Sequence, residues 1–169
     1  SGGPVSILNS DLIREISFYT GSFPANRGGA LSSVMDITLK DGNPDKQAFK
    51  AVIGASEVGA SASGHIGNNT TYIASVRQSY LQLLFRLLGL PMLPNYIDGQ
   101  FKSRTRIDSR NEIAFIALAG FDNMKLSDDP DDKGDEYLLS YLPVLKQETF
   151  TIGASYKHFS DRHIQTYSL

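Results

Sequence analysis

The sequence lacks several features that would point to common functions. Its 169 residues contain no cysteine, which excludes a disulfide framework, a thiolate zinc site and a cysteine nucleophile. The formal net charge is −2, and the lysines and arginines are scattered, so no basic face is available to a phosphate backbone. We therefore do not expect nucleic acid to be a partner.

Long hydrophobic runs are also missing. The most apolar stretch, 81–93, is broken by polar residues, a glycine and a proline, and it falls short of the roughly 20 apolar residues of a spanning helix. If the chain crosses a membrane, it does so as strands. We expect 81–93 to form the top of a strand and the cover of a loop, including a helical turn. Docking of a partner is the alternative, because exposed apolar patches of this size usually have a function.

Motifs for catalysis and for cofactors are absent, and those for metals are weak. The sequence contains no nucleophile elbow and no phosphate-binding loop. Its three histidines, His65, His158 and His163, would have to converge with carboxylates to bind zinc. The acidic stretch 128–136 lacks the order of a calcium loop, and a solvated loop is the favoured interpretation. We predict no enzyme activity, no cofactor and no metal site.

The first 44 residues predict a small α+β segment. A short helix is expected over 10–15, because Asn9 or Ser10 can accept hydrogen bonds from its first free amides. Strands are expected over 16–20 and 33–39, separated by a loop that glycine and proline punctuate, and a turn over Asp41–Pro44 ends the second strand. The opening four residues contain neither a start methionine nor a signal peptide, so we expect the chain to be an internal piece of a longer protein.

From residue 45 onward the hydrophobic pattern has period 2, which is the period of a strand. Short turns are predicted at 67–69, 109–111 and 160–162, with longer connections between them. About six or seven antiparallel strands, apolar on one face and small or polar on the other, are typical of an outer-membrane barrel. A soluble lipid-binding barrel or a sandwich also alternates and stays open as the alternative.

The alternation also predicts which side chains face lipid and which face inward. Lys102, Arg104, Arg106 and Asp108 would form an inward row of four charges, which no ordinary soluble core holds. The predicted lipid-facing residues lie on the apolar sides of their strands and are Phe49, Ile53, Tyr72, Val76, Phe150, Ile152 and Tyr156.

Two parts of the chain carry a resemblance to a known family. The segments Asp11–Ile16, Tyr19–Gly21 and Arg27–Lys40 resemble the C-terminal end of the plug in TonB-dependent outer-membrane receptors. The turn Gly64–Asn69 with the strand Tyr72–Tyr80 is similar to the first periplasmic turn and the next barrel strand of such receptors, particularly those of Bacteroidetes. The frequent Arg-Gly-Pro of the family is Thr-Gly-Ser at 20–22 here.

The resemblance implies a fragment of a nutrient receptor in the outer membrane of a Gram-negative cell. Residues 1–44 would end the plug, and 45–169 would be the first strands of an incomplete antiparallel β-barrel. The receptor would bind a nutrient or chelate outside, and the inner-membrane TonB complex would pull on the plug, through parts that lie outside this chain. Candidate plug-to-barrel contacts are Arg14, Glu15 and Arg27 pairing with Arg104 or Asp108, and Gly28 and Gly29 against the wall. A solvated surface is the alternative for these charges.

An incomplete barrel leaves unpaired strand edges and a bare apolar face. In water we therefore expect the isolated chain to self-associate, isologously if it closes as a dimer, or to fold 81–93 and the plug segment across that face. Transport is the first hypothesis, a soluble module that binds an apolar ligand or a protein is the second, and an enzyme is the third.

Overall fold

The structure, a computed structural model, describes residues 8–21, 32–89, 92–126 and 146–169. In these residues the chain is mainly β, with nine antiparallel strands and one α-helix. The strands are β1 Ile13–Tyr19, β2 Val34–Leu39, β3 Ala48–Ile53, β4 Glu57–Ile66, β5 Thr70–Ser79, β6 Met92–Arg106, β7 Asn111–Leu126, β8 Lys146–Phe159 and β9 Ile164–Ser168, and the helix is α1 Leu81–Leu87.

The strands form two sheets. β1 and β2 make a two-stranded sheet, and β3 to β9 make a seven-stranded sheet in which each strand pairs with its neighbours along the chain. Within the described ranges, β3 and β9 have no strand on their outer sides, so the sheet stays open and no barrel is closed. The prediction of mainly antiparallel strands is confirmed.

The register of the large sheet separates two faces of opposite character. One row crosses β3 to β8 on what we call the apolar face and contains Phe49, Ala62, Ala74, Phe101, Ala117 and Ile152. The adjacent row lies on what we call the polar face and contains Lys50, Ser61, Ser75, Gln100, Leu118 and Thr151. Because side chains alternate along a strand, the neighbouring rows repeat this division.

Little hydrophobic surface is buried among the described residues. Only Leu12, Leu39, Ile73 and Tyr96 are buried hydrophobic residues there. On the apolar face, by contrast, Phe49 is 79% exposed and Ile53 is 84% exposed. The large hydrophobic side chains therefore point away from the small core instead of forming it.

The N-terminal elements differ in detail from the prediction. The helix expected over 10–15 is only a 3-10 turn, Ser10–Leu12, in which the Asn9 side chain accepts a hydrogen bond from the Asp11 amide at 3.0 Å. The strand already begins at Ile13, because Ile13 pairs with Leu39 of β2. Pairing across the two strands thus overrides the local helix signal.

The stretch 81–93 was also predicted partly wrong. Residues Leu81–Leu87 form α1 instead of a strand top, and β6 begins only at Met92. The helix leaves Leu83, Leu87 and Leu88 more than half exposed. In the described part of the chain, no helix has both the length and the apolar character needed to cross a membrane.

The turn 67–69 is present as predicted and requires an unusual backbone at Gly67, whose φ is 63°. An L-residue with a Cβ is strained at this angle, although no other atom lies within 4 Å of the position that the Cβ would take. We predict that Gly67→Ala lowers the free energy of unfolding by about 1 kcal/mol. A denaturant titration in detergent measures the loss.

Asparagine tolerates positive φ better than alanine does, so Gly67→Asn is the matched control and should recover part of the loss. If Gly67→Ala and Gly67→Asn both unfold at the same denaturant concentration as the unmodified chain, the turn does not have this conformation.

Candidate functional site

The candidate site is the contact between the N-terminal segment and the polar face of the large sheet. We use "N-terminal segment" for the described residues 8–21 and 32–44. Leu12 and Leu39 of this segment pack with Ile73 of β5, and each of the three side chains is at most 7% exposed. Leu8, Ile13 and Ile116 pack at the edge of the cluster. The second layer of the fold is thus seated on the polar face and not on the apolar one.

Asp41 is the centre of the polar part of this contact. Its carboxylate lies 2.7 Å from Lys102 Nζ and 2.9 Å from Arg104 Nη1, both on β6. Lys102 Nζ also donates to the main-chain carbonyl of Leu39 at 2.9 Å, and Arg104 Nη2 lies 2.6 Å from the buried Glu112. One acid at the end of the segment therefore bridges two cations of the large sheet.

The electrostatics of Asp41 favour its charged form. Burial by itself raises the pKa of this carboxyl, but the hydrogen bond from Lys102 and the charges of Lys102 and Arg104 outweigh burial and leave the pKa below its usual value. Asp41 is therefore ionised at neutral pH, and both ion pairs are complete.

Gly42 brings the main chain of the segment directly onto the sheet. A Cβ at this position would come closer than 3.0 Å to the main-chain atoms of Tyr72 and Gly64. Backbone atoms cannot move aside as the end of a flexible side chain can, so only glycine fits here. Two ion pairs hold the segment at Asp41, and a close contact between main chains holds it at Gly42.

A second ionic contact joins the segment to the edge strand β3, beside Lys40 and Asp41 at the same end of the β1–β2 pair. Asp11 Oδ2 lies 2.6 Å from Lys50 Nζ, and Lys40 Nζ donates to the main-chain carbonyl of Asp11 at 2.8 Å. The hydrogen bond from Lys50 holds the pKa of Asp11 below its usual value. Unlike the Asp41 pairs, this pair is about half exposed on both sides.

The predicted plug-to-barrel residues are only partly brought together. Arg104 lies in the contact, but its carboxylate partners are Asp41 and Glu112. Arg14 and Glu15 are exposed, and in the described ranges neither forms an ion pair with the sheet. The predicted pairing of these two residues with Arg104 or Asp108 is therefore not what the structure shows. Arg27, Gly28 and Gly29 lie outside the described residues.

Asp108 does not belong to the inward row. It lies in the turn between β6 and β7, where its carboxylate accepts hydrogen bonds from the Arg110 amide and the Asn111 side chain, each at 2.7 Å. These two donors hold the pKa of Asp108 below its usual value. The row of inward charges thus ends with the strand, because the chain turns after Arg106.

Sequence reasoning missed Asp41 and Gly42 as site residues and treated them only as part of a turn. The signal in the sequence was the pair of alternating cations Lys102 and Arg104, which indicates that acids lie nearby but not which ones. The distance of more than 60 residues along the chain hides such a pairing from local patterns.

A further polar cluster lies on the polar face towards the α1 end of the sheet. Arg77 Nη2 lies 2.9 Å from Asp98 and Arg77 Nη1 lies 3.8 Å from Glu57, while the Tyr96 hydroxyl donates to Glu57 at 2.5 Å. Asp98 and Tyr96 are buried. The polar face therefore carries paired charges beyond the docking contact as well.

The seven predicted lipid-facing residues all lie on the apolar face by register. Val76 and Ile152 are more than half exposed. Tyr72 and Tyr156 are half-buried, and their hydroxyls donate to Gln47 at 2.7 Å and to Asn111 at 2.5 Å. Tyr156 also stacks on Tyr167 with a ring separation of 6.3 Å.

The described residues contain no group of three histidine, aspartate or glutamate side chains that could hold a metal ion. His158 Nδ1 instead lies 2.8 Å from the side-chain oxygen of Asn111. The acidic stretch 128–136 lies outside the described residues, so its interpretation as a solvated loop stays a prediction.

We predict that Gly42→Ala separates the N-terminal segment from the sheet, because the added Cβ meets main-chain atoms. Overpacking of this kind costs about 1–3 kcal/mol. Amide exchange of β1 and β2 should accelerate while that of β6 and β7 stays unchanged. Gly21→Ala is the control, since no atom lies within 4 Å of its Cβ position; equal exchange in the two variants would contradict the close approach.

We also predict that docking of the segment is lost in acid. The pKa of Asp41 is lowered in the folded state, so its contribution is complete above the unfolded value of about 3.9 and is lost as the pH falls through the lowered folded value. Asp41→Asn should weaken docking at pH 7 by about 1–3 kcal/mol, again read from amide exchange of β1 and β2.

Asp45→Asn is the matched control, since Asp45 is exposed and lies near Asp41 without an ion pair in the described ranges. Docking that is equally strong in Asp41→Asn and Asp45→Asn at pH 7 would show that the two ion pairs of Asp41 contribute nothing.

Comparisons with known proteins identify no family for this chain. No protein-family model matches the chain, and neither a curated protein nor a solved structure matches it. The likeness to TonB-dependent receptors therefore stays a resemblance carried by the residues named above, and the function is inferred from the two faces of the sheet and the segment docked on one of them.

Proposed function

We propose that the large sheet is part of the wall of an outer-membrane β-barrel, and that the N-terminal segment is the end of the plug of a TonB-dependent receptor. The observation that carries the proposal is the position of the second layer. In soluble sandwiches two layers pack through their apolar faces. Here the described second layer packs on the polar face through Asp41, Lys102 and Arg104, and no described element covers the apolar face.

The size of the apolar face supports a lipid contact. Along β7 the outward residues are apolar from Ile113 to Phe121 and are bounded by Asn111 and Asn123. At about 3.4 Å per residue this stretch is roughly 27 Å long. With a strand tilt of about 40°, its height is roughly 20 Å, close to the apolar band of about 25 Å on such barrels.

The border of this band near Asn111 carries side chains of the kind that prefer a membrane interface. Tyr156 and Tyr167 stack on the apolar face, and their hydroxyls reach the polar Asn111 and Gln165. Tyrosines with an apolar body and a polar tip form the aromatic girdles at the two interfaces of outer-membrane barrels. The border thus supports the same orientation of the sheet as the band itself.

The polar face would then line the interior, with the plug seated in it. In the intact receptor, further strands would continue the sheet at the free edges of β3 and β9 and close the barrel. A nutrient or chelate would bind on the outer side, and the TonB complex would act on the plug through parts outside this chain. In water, the same free edges and bare face would make the isolated chain associate with itself.

We predict that Ile152→Arg destabilises the protein in a bilayer by about 2–4 kcal/mol, because it puts a charge on the lipid-facing side of β8 near the middle of the band. Thr151→Arg is the matched control, since Thr151 is the next residue on the same strand and lies opposite Leu118 on the polar face. Denaturant titrations in lipid vesicles measure both. Equal losses at the two positions would remove the lipid-facing assignment and favour a soluble module.

A further inference from the structure

The two-stranded sheet of the N-terminal segment has one apolar side. Alternate residues of β2, Met35, Ile37 and Leu39, point to this side together with their β1 partners Phe18 and Ile16. Leu39 is buried in the docking contact and Ile37 is half-buried. The other three residues are more than half exposed. This apolar side is therefore buried at its Leu39 end and becomes exposed towards Phe18 and Met35.

The large sheet carries an apolar patch next to this side. On β6 the polar face has Lys102 and Arg104, but their register neighbours on β7 are Ile116 and Ala114. On β8 the neighbour of Ile116 is Gly153. The Ile116 side chain occupies the space over this glycine, since its Cγ2 would lie 3.0 Å from a Cβ there. The polar face thus has a locally apolar surface over β7 and β8.

A cavity of about 340 Å³ lies between these two apolar surfaces. Ile37 lines it from the segment, and Ala114 and Ile116 line it from β7. Lys102 is the one charged side chain of the lining in the described ranges, and its ammonium is already bound by Asp41 at 2.7 Å. The cavity therefore offers apolar contacts and no uncompensated charge.

The ion pairs of Asp41 keep the cavity from closing. The Asp41 carboxylate already lies 2.7 Å from Lys102 and 2.9 Å from Arg104, which are the distances of charge-assisted hydrogen bonds. The segment cannot move closer to the sheet at this point without a clash, so the space beside Ile37 stays open.

The volume of the cavity determines what kind of partner fits. One turn of an α-helix with its side chains is about 10 Å wide and 5.4 Å long, so it fills roughly 420 Å³, which is more than the cavity holds. Pockets for small molecules begin at about 300 Å³ and combine apolar side chains with a few polar groups. The polar groups are here supplied by Thr38, Ser155 and Ser168.

We propose that this cavity binds a small molecule with an aliphatic or aromatic body, which is held between Ile37 of the segment and Ile116 of β7. The exposed Phe18 and Met35 continue the same apolar side of the segment and give such a molecule an apolar approach to the cavity. The site depends only on the contact between the segment and the large sheet, so it does not require the proposed membrane function.

The test is a titration of the unmodified chain in detergent with cyclohexanol, read from the isoleucine δ1-methyl resonances. Binding predicts saturable shifts at Ile37 and Ile116, which line the cavity. Ile53 and Ile152 lie on the exposed apolar face and report cyclohexanol dissolved in the detergent, which gives shifts that do not saturate. Inositol, the polyol of the same ring size, should move none of these resonances. Shifts at Ile37 and Ile116 that are absent, or that follow those of Ile152 without saturating, would overturn the proposal.

A pair of variants on one strand locates the site. Ala114→Leu adds carbon atoms inside the cavity and should weaken the binding of cyclohexanol by about tenfold. Ala117→Leu is the matched control, because Ala117 lies on the apolar face of β7 and the same atoms are then added outside the cavity. Equal affinity in the two variants would overturn the proposal. If Ala114→Leu does not fold, the titration of the unmodified chain still decides it.

Discussion

The antiparallel register of β3 to β9 sends every second side chain to the same face, and in this chain that face carries phenylalanine, isoleucine, valine and alanine. The opposite face carries lysine, arginine, serine and glutamine. A second layer can pack on either of these two faces. The N-terminal segment packs on the polar face, so its contacts are mainly ionic, and it does not cover the apolar face.

Docking on a polar face requires charge compensation, since a cation removed from water without a partner is strongly unfavourable. Asp41 supplies this compensation for Lys102 and Arg104, and Glu112 completes the shell of Arg104. The apolar part of the contact is small, with three buried side chains. A segment held mainly by paired charges and one close backbone approach can leave the sheet without exposing a large hydrophobic core, as the proposed role of a plug requires.

Much of the sheet could be predicted from the sequence because strand alternation is a local signal. Tyr72 and Ile152 could be assigned to one face from their neighbours alone, and the turn at Gly67 followed from its residue types. Two features were not local. Residues Leu81–Leu87 form a helix where a strand top with a helical turn was expected, and Ile13 joins β1 because of its distant partner Leu39.

The docking contact was the least predictable part. Asp41 looked like a turn residue, and only the fold brings it to Lys102 and Arg104, more than 60 residues later. Arg14 and Glu15 looked like better candidates because the resemblance placed them in the plug. In the structure both are exposed residues of β1. Charge alone does not predict which acid pairs with a buried cation, because the pairing depends on where the main chain of the segment can approach the sheet. At Asp41 the neighbouring Gly42 permits this close approach.

In the proposed orientation, the apolar face meets lipid while the polar face carries the segment. The chain contains no tryptophan, so single tryptophans at 149, 150, 151 and 152 can be compared in vesicles of brominated lipid, which quenches fluorescence only at close range. The account predicts strong quenching at 150 and 152 and weak quenching at 149 and 151. Uniform quenching at the four positions, or stronger quenching at 149 and 151, would contradict it.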